Sequence, residues 1–324
     1  MTASTAPQPA SPHLSPAPRP FSLISPERLW DLYAAMLRCR AIAERAGSLV
    51  QSGLPAHTLR DALGREATYA GVLVGLQSAD VFFPAPEDTL AGFLHGLTLG
   101  NLFAPLARPA PARRKKSAPM SSTTPGPLPL APSPSEQLSL ANGAAFALKP
   151  HTANPLVVAL CGPGAAPQQA WQQALQFAAA HTLPILFVCH AQPLDNASLA
   201  ETEAHFNQLS TLAQTARVPA IAVDAHDVVA VHRVASESIS RARLRRGPTL
   251  IACHAHPTSQ VPGQVQGLKS DADHAAEPLA GSGDAIRTME NYLGRKALFD
   301  PARKSQLLDG FARQLDHATR GLLR

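Results

Sequence analysis

Four short apolar runs in the second half of the chain each end in residues able to do chemistry. The ends read Cys161-Gly162-Pro163-Gly164, Cys189-His190-Ala191-Gln192, Asp224-Ala225-His226-Asp227 and Cys253-His254-Ala255-His256. Thiolate and imidazole groups bind zinc when three or four of them converge. A Gly-x-Gly turn opening a helix points free N–H groups, at the positive end of the helix dipole, toward a phosphate. Asp224 and Asp227 could work as a carboxylate pair. Each of these readings has a plainer competitor. Cysteine is a small hydrophobe that suits the end of a buried strand, and alternating side chains bring only some of these groups into one cavity. Asp227 precedes a periodic apolar run and reads as a helix cap. Trp30 and Trp171 read as packing residues, and Gln168, Gln169, Gln172 and Gln173 as a polar helix face.

Those ends need a scaffold. Leu156–Cys161, Leu183–Cys189, Pro219–Val223 and Thr249–Cys253 read as strands, separated by helices over Pro167–Ala180, Ala200–Ala216 and Asp227–Arg243. Short apolar strands alternating with helices of this length imply parallel βαβ units with helices on both faces. In such a sheet the ligand sits beyond the carboxyl ends of the strands. The first block differs: Ser25-Pro26 starts a helix that runs to about Gln51. Further helices are expected over Gly64–Leu76 and Asp88–Gly100, with no strand. Asp284–Leu323 returns to helix. The fold class is α/β, a parallel sheet with helical additions at both ends.

Proline marks the boundaries. Fifteen of the 31 prolines fall within residues 1–20 and 105–134, and proline excludes regular helix and central strand there. The expected organisation is a Pro/Ala/Ser tail at 1–24 and a single domain at 25–324, interrupted by a proline-rich loop at 105–136.

The chain has 324 residues, 45% of them apolar and 16% charged, which supports a sizeable core. Aromatics make up only 5%, too few for a base-stacking surface. The formal charge is +5, and Arg113, Arg114, Lys115 and Lys116 hold nearly all of the excess in one run, so no nucleic-acid face is expected. No apolar run reaches membrane-spanning length and no secretion signal stands at the start. Four cysteines without a CxxC pair make no disulfide framework. A cytoplasmic protein is expected.

Six collinear segments go further. LYAAMLRCRAIAERAGSLVQSG at Leu32–Gly53, LGREATYAGVLVGL at Leu63–Leu76 and LANGAAFALK at Leu140–Lys149 lie in the first half. GPGAAPQQAWQQALQFAAAHTLPILFVCHAQ at Gly162–Gln192, VPAIAVDAHDVVAVHRVASESISRARLRRGPTLIAC at Val218–Cys253 and DAIRTMENYLGRKALFD at Asp284–Asp300 follow. Together they resemble the alpha subunit of the thiamine-diphosphate-dependent first component of 2-oxo acid dehydrogenases, the pyruvate, branched-chain and acetoin enzymes. In that family Leu63–Leu76 corresponds to a Gly-Gln-Glu-Ala helix and Leu140–Lys149 to a Leu-Ala-Thr-Gly-Ala-Ala turn.

The resemblance implies a thiamine diphosphate fold in which this chain holds the diphosphate and Mg²⁺ and a beta-type subunit completes the site, with self-association as the other assembly. It implies oxidative decarboxylation of a 2-oxo acid with acyl transfer to lipoyl. It assigns cofactor binding to Gly162, Gly164, Ala165, Gln192 and Leu194, and a Mg²⁺ contact to Gln192. The family's carboxylate ligand falls at Pro163, which has no side-chain oxygen for a cation that prefers oxygen donors. Its phosphate-clamping Tyr-Arg pair falls at Pro86-Glu87, its glycine-rich loop at Lys115–Ser121, its Gly-His-Ser segment at Gln260-Val261-Pro262 and an upstream histidine at Arg60. No catalytic residue is retained. The expectation is weak or lost activity, with a non-catalytic assembly or regulatory partner of a beta-type subunit as the alternative.

Overall fold

Proline and small polar caps set the helix boundaries. The computed structural model describes residues 24–106, 131, 133–162, 164–190, 199–254 and 284–322. Ser25 accepts from the Arg28 N–H and caps α1 (Pro26–Gln51), with proline in its first turn. Ile24, expected in the tail, is already buried. Two shorter helices follow, α2 (His57–Arg60) and α3 (Glu66–Leu73). Ser133 caps α5 (Pro134–Leu148) in the same way. That helix starts inside the span expected to be loop, and it makes Leu140–Leu148 helical where a turn was expected.

The sheet is parallel, as the apolar runs imply. Among the described residues its strands are β1 (Val81–Phe83), β2 (Val157–Cys161), β3 (Ile185–His190), β4 (Ala220–Asp224) and β5 (Thr249–His254). Their order is β1-β2-β3-β5-β4. β1 corrects the strand-free reading of the first block. Three residues followed by Pro84 carry no periodicity. The strand exists because Val81 pairs with Val157 and because buried Gln137 donates to the Phe83 and Leu160 carbonyls.

The connecting helices are α6 (Gln168–Ala180), α7 (Leu199–Thr215) and α8 (Val228–Arg243). Val157, Ala159, Ile185, Phe187 and Leu250 face α5, α6 and α7, while Val158, Leu160, Leu186, Val188 and Ile251 face the layer that contains α1, α3 and α8. A sheet covered on both faces needs apolar residues at every position, so these strands read as unbroken apolar runs. α9 (Ala285–Arg295) and α10 (Pro301–Thr319) complete the chain. The C-terminal helix expected over Asp284–Leu323 is thus two helices. The break falls at Ala297, in the left-handed region at φ 55, and Asp300 then caps α10.

The helix expected over Asp88–Gly100 also divides. A 3₁₀ segment, Pro86–His95, kinks at Asp88 and ends at Gly96 with φ 96. Thr98 then caps α4 (Leu99–Phe103). The kink lets the Asp88 side chain turn inward. At the opposite edge of the sheet, Asp80 accepts from both Arg243 guanidinium nitrogens at 2.7 and 3.1 Å and from Leu156 N. That carboxylate ties the start of β1 to the start of β2 and the end of α8.

Helices α3 and α8 meet at Gly71. A Cβ there would lie 2.6 Å from Val231 Cγ1 and 3.1 Å from His232 N. We expect Gly71→Ala to destabilise the fold by about 1–2 kcal/mol, because overpacking outweighs the ~1 kcal/mol alanine gains as a helix former. Urea unfolding measures this; a midpoint at or above that of the wild type refutes the close approach.

Candidate functional site

The carboxyl end of β3 is occupied by the protein's own polar groups. Asp88 is fully buried, and its Oδ1 accepts from Arg65 Nη1 at 2.8 Å and from the Tyr69 hydroxyl at 2.5 Å. Its Oδ2 accepts from His190 Nε2 at 2.9 Å. Arg65 caps the start of α3, Tyr69 lies one turn into it, Asp88 stands at the kink and His190 ends β3, so three segments meet at one carboxylate. Burial by itself raises the Asp88 pKa. The nearby His190, Arg65 and Tyr69 outweigh burial and hold it below the usual carboxylate value. Burial disfavours the Arg65 cation in turn, and Tyr69 and Asp88 more than restore it. Tyr69 is kept protonated by burial and by Asp88. Both carboxylate oxygens are engaged, so Asp88 holds the structure and offers no base to a substrate.

Sequence reading missed this group. Its one signal was the charged pair Arg65-Glu66 at the start of a helix that carries no other charge. Glu66 is buried as well, accepting from Arg40 Nε at 2.5 Å, while Arg40 Nη2 reaches Asp284 at 2.9 Å. These ion pairs give Glu66 a structural role.

The turn between β2 and α6 brings Gly162, Gly164 and Ala165 together, with Ala165 N donating to the Gly162 carbonyl at 3.2 Å. Beside it lies a cavity of about 320 Å³ between α6 and α7. Gly164, Gln168, Trp171, His205 and Gln208 are among its lining residues. Gly164 sits so close to His205 that a Cβ would approach the imidazole to 3.1 Å. Trp171 packs on Phe187, and its Nε1 is buried without a partner among the described residues. Pro163, Gln192 and Leu194 lie outside the described residues, as do Lys115–Ser121 and Gln260-Val261-Pro262.

The cysteines do not converge. Cys161 and Cys189 face α5, α6 and α7, whereas Cys253 belongs to the core on the other face. Burial raises all three thiols, Cys253 to about 12, so they stay protonated and apolar. Among the described residues no three His, Cys, Asp or Glu side chains are placed to hold a metal ion. His256 lies outside them. Asp227 caps α8 by accepting from Val229 N and Ala230 N, and Asp224 accepts from His226 N. They are turn and cap residues.

A family model described as "Dehydrogenase E1 component" matches residues 34–257. The chain is similar to the alpha subunit of acetoin:2,6-dichlorophenolindophenol oxidoreductase from Bacillus subtilis (strain 168). Identity is 27% over 277 residues, 84% of this chain and 82% of that protein. It is also similar to the pyruvate dehydrogenase E1 component subunit alpha of Staphylococcus aureus (strain Mu50), at 28% over 231 residues. That match covers 70% of this chain and 60% of the relative's length. The Staphylococcus epidermidis subunit of the same name is 27% identical over 293 residues, 88% of this chain and 75% of the relative.

Asp88→Asn removes the charge that balances Arg65 in the interior, and we expect a loss of about 3 kcal/mol of stability. The folded pKa of Asp88 lies below its unfolded value. Its contribution is therefore complete above about pH 4 and falls away as pH drops through the lowered folded value. Urea midpoints measured at neutral pH and down through the acid range check both effects. Equal midpoints at neutral pH, or equal acid sensitivity in the two proteins, refute them.

Proposed function

The chain belongs to the dehydrogenase E1 component family, and we propose that it is an alpha-type chain that keeps the family fold while its cofactor chemistry is weak or lost. Its role is that of a non-catalytic assembly or regulatory partner of a beta-type dehydrogenase subunit. The family reaction, by resemblance, is thiamine-diphosphate-dependent oxidative decarboxylation of a 2-oxo acid.

The observation that carries this reading is the donor set beside the β2–α6 turn. A Mg²⁺-bound diphosphate calls for carboxylate and carbonyl oxygens around a hard cation. The described lining of the cavity supplies amides, an imidazole and an indole N–H, with no carboxylate. The resemblance puts Pro163 at the carboxylate position, in the same turn. Charge argues the same way. The Cys161 thiol at the end of β2 is raised by burial and then by the negative charges of Glu87 and Asp88. Glu87 stands where the resemblance expects a phosphate-binding arginine, so the local field opposes an anion. Asp88, the other carboxylate nearby, is fully committed to Arg65, Tyr69 and His190. These residues do not fit the metal–diphosphate group, and no catalytic step is assigned to it.

A partner role rests on what remains: the parallel sheet, its helical layers and α1 to α3 are the parts of the family pattern this chain retains. Among the described residues no helix is long and apolar enough to cross a membrane.

The test is calorimetric titration of thiamine diphosphate, with and without Mg²⁺, into the full chain alone and co-expressed with a beta-type subunit. The expected results are a stable mixed assembly and no saturable Mg²⁺-dependent binding by the wild-type chain. Pro163→Asp should make binding measurable. Tight Mg²⁺-dependent binding by the wild type would overturn the loss of cofactor chemistry, and absence of any mixed assembly would overturn the partner role.

A further inference from the structure

A second cavity, of about 470 Å³, lies at the opposite edge of the sheet from the β2–α6 turn, where β4 and β5 begin. Its walls come from the last turns of α6 and α7 and from the segments leading into those two strands. Arg217, Arg241 and Arg246 line it, and none of the three makes a salt bridge with a carboxylate among the described residues. The Nε of Arg241 is buried without a partner among the described residues, although its Nη2 reaches the Arg246 carbonyl at 3.4 Å. Positive charge is thus locally concentrated here as well as in the Arg113–Lys116 run.

Capping of helix ends does not account for three cations. α6, α7 and α8 all terminate here, and each C-terminus carries roughly half a negative charge. Together they offset about half of the positive charge, and a surplus of about one and a half units faces the cavity. Arg217 follows the end of α7 at φ 58, and Val218 N closes back on the Ala213 carbonyl. Glycine is favoured at such a helix end because its backbone enters the left-handed region without strain. Arg217 takes this conformation without glycine's freedom, as Thr182, Arg245 and Ala297 also do, so glycine can replace it without straining the backbone.

We propose that this cavity binds the phosphate group of a small phosphomonoester. Arg217, Arg241 and Arg246 take the phosphate oxygens, since planar guanidinium groups match that geometry and stay charged at any working pH. Ala180, Pro219 and Pro248 form an apolar floor for the rest of the molecule. The volume falls in the range of small-molecule sites and exceeds what phosphate alone would fill.

Arg217→Gly separates binding from folding, because glycine suits the backbone there and removes one guanidinium. Calorimetric titration of the full chain with inorganic phosphate and with phenyl phosphate, at low ionic strength, is the measurement. We expect saturable binding of both probes, tighter for phenyl phosphate, weakened about tenfold in Arg217→Gly and in Arg241→Gln. The thermal midpoint of Arg217→Gly should equal or exceed that of the wild type. No saturable binding, or equal affinity in wild type and variants, overturns the site. Equal affinity for the two probes overturns the apolar floor. A lowered midpoint for Arg217→Gly shows that the arginine serves the fold, and overturns its reading as a binding group.

Discussion

A carboxylate taken out of water is stable only when charge and hydrogen bonds replace its hydration, and Asp88 imposes that requirement on the whole carboxyl edge of the sheet. Left unpaired it would cost several kcal/mol. Arg65, Tyr69 and His190 must therefore all reach it, the first two from the start of α3 and the third from the end of β3. The kink in the 3₁₀ segment, the approach of α3 to the sheet and the end point of β3 are all held by that requirement. The helical first block is fastened to the α/β core through it, while Arg40 joins buried Glu66 to the partly exposed Asp284 before α9.

This arrangement also bears on function. In a parallel sheet, ligands gather beyond the carboxyl ends of the strands, where helix N-termini and loops converge. Here Arg65, Tyr69 and His190 are all engaged by Asp88 near the end of β3, and amides, an imidazole and an indole lie beside the end of β2 with Glu87 close by. At the other edge, Arg217, Arg241 and Arg246 line one cavity without a carboxylate partner among the described residues. Among the described residues the one cation beside the end of β3, Arg65, is already paired with Asp88.

Sequence reading performed unevenly, for physical reasons. β2, β3 and β5 were legible because a sheet covered on both faces needs unbroken apolar runs, and LVVALC, LPILFVC and TLIAC are such runs. The caps at Ser25 and Asp227 were legible because capping is a contact between near neighbours in sequence. β1 was not: Val81–Phe83 has no pattern of its own and becomes a strand only by lying against β2. The division of Asp88–Gly100 was hidden for a similar reason, since the kink answers to partners as distant as His190. The cysteines looked as if they might share a cavity until strand register put Cys253 on the face opposite Cys161 and Cys189.

The sequence by itself determined the fold class, the alternation of strands and helices and the family resemblance, and it raised the expectation of departures at Pro163 and Pro86-Glu87. Each of these is a property of residues close together in the chain or in a fixed order along it. Tertiary structure alone decided which polar groups meet. Arg65 with Asp88 and His190, Asp80 with Arg243, and the three arginines of the amino-edge cavity are brought together by packing across long stretches of chain. Electrostatic pairing depends on distance and burial, and a one-dimensional pattern records neither.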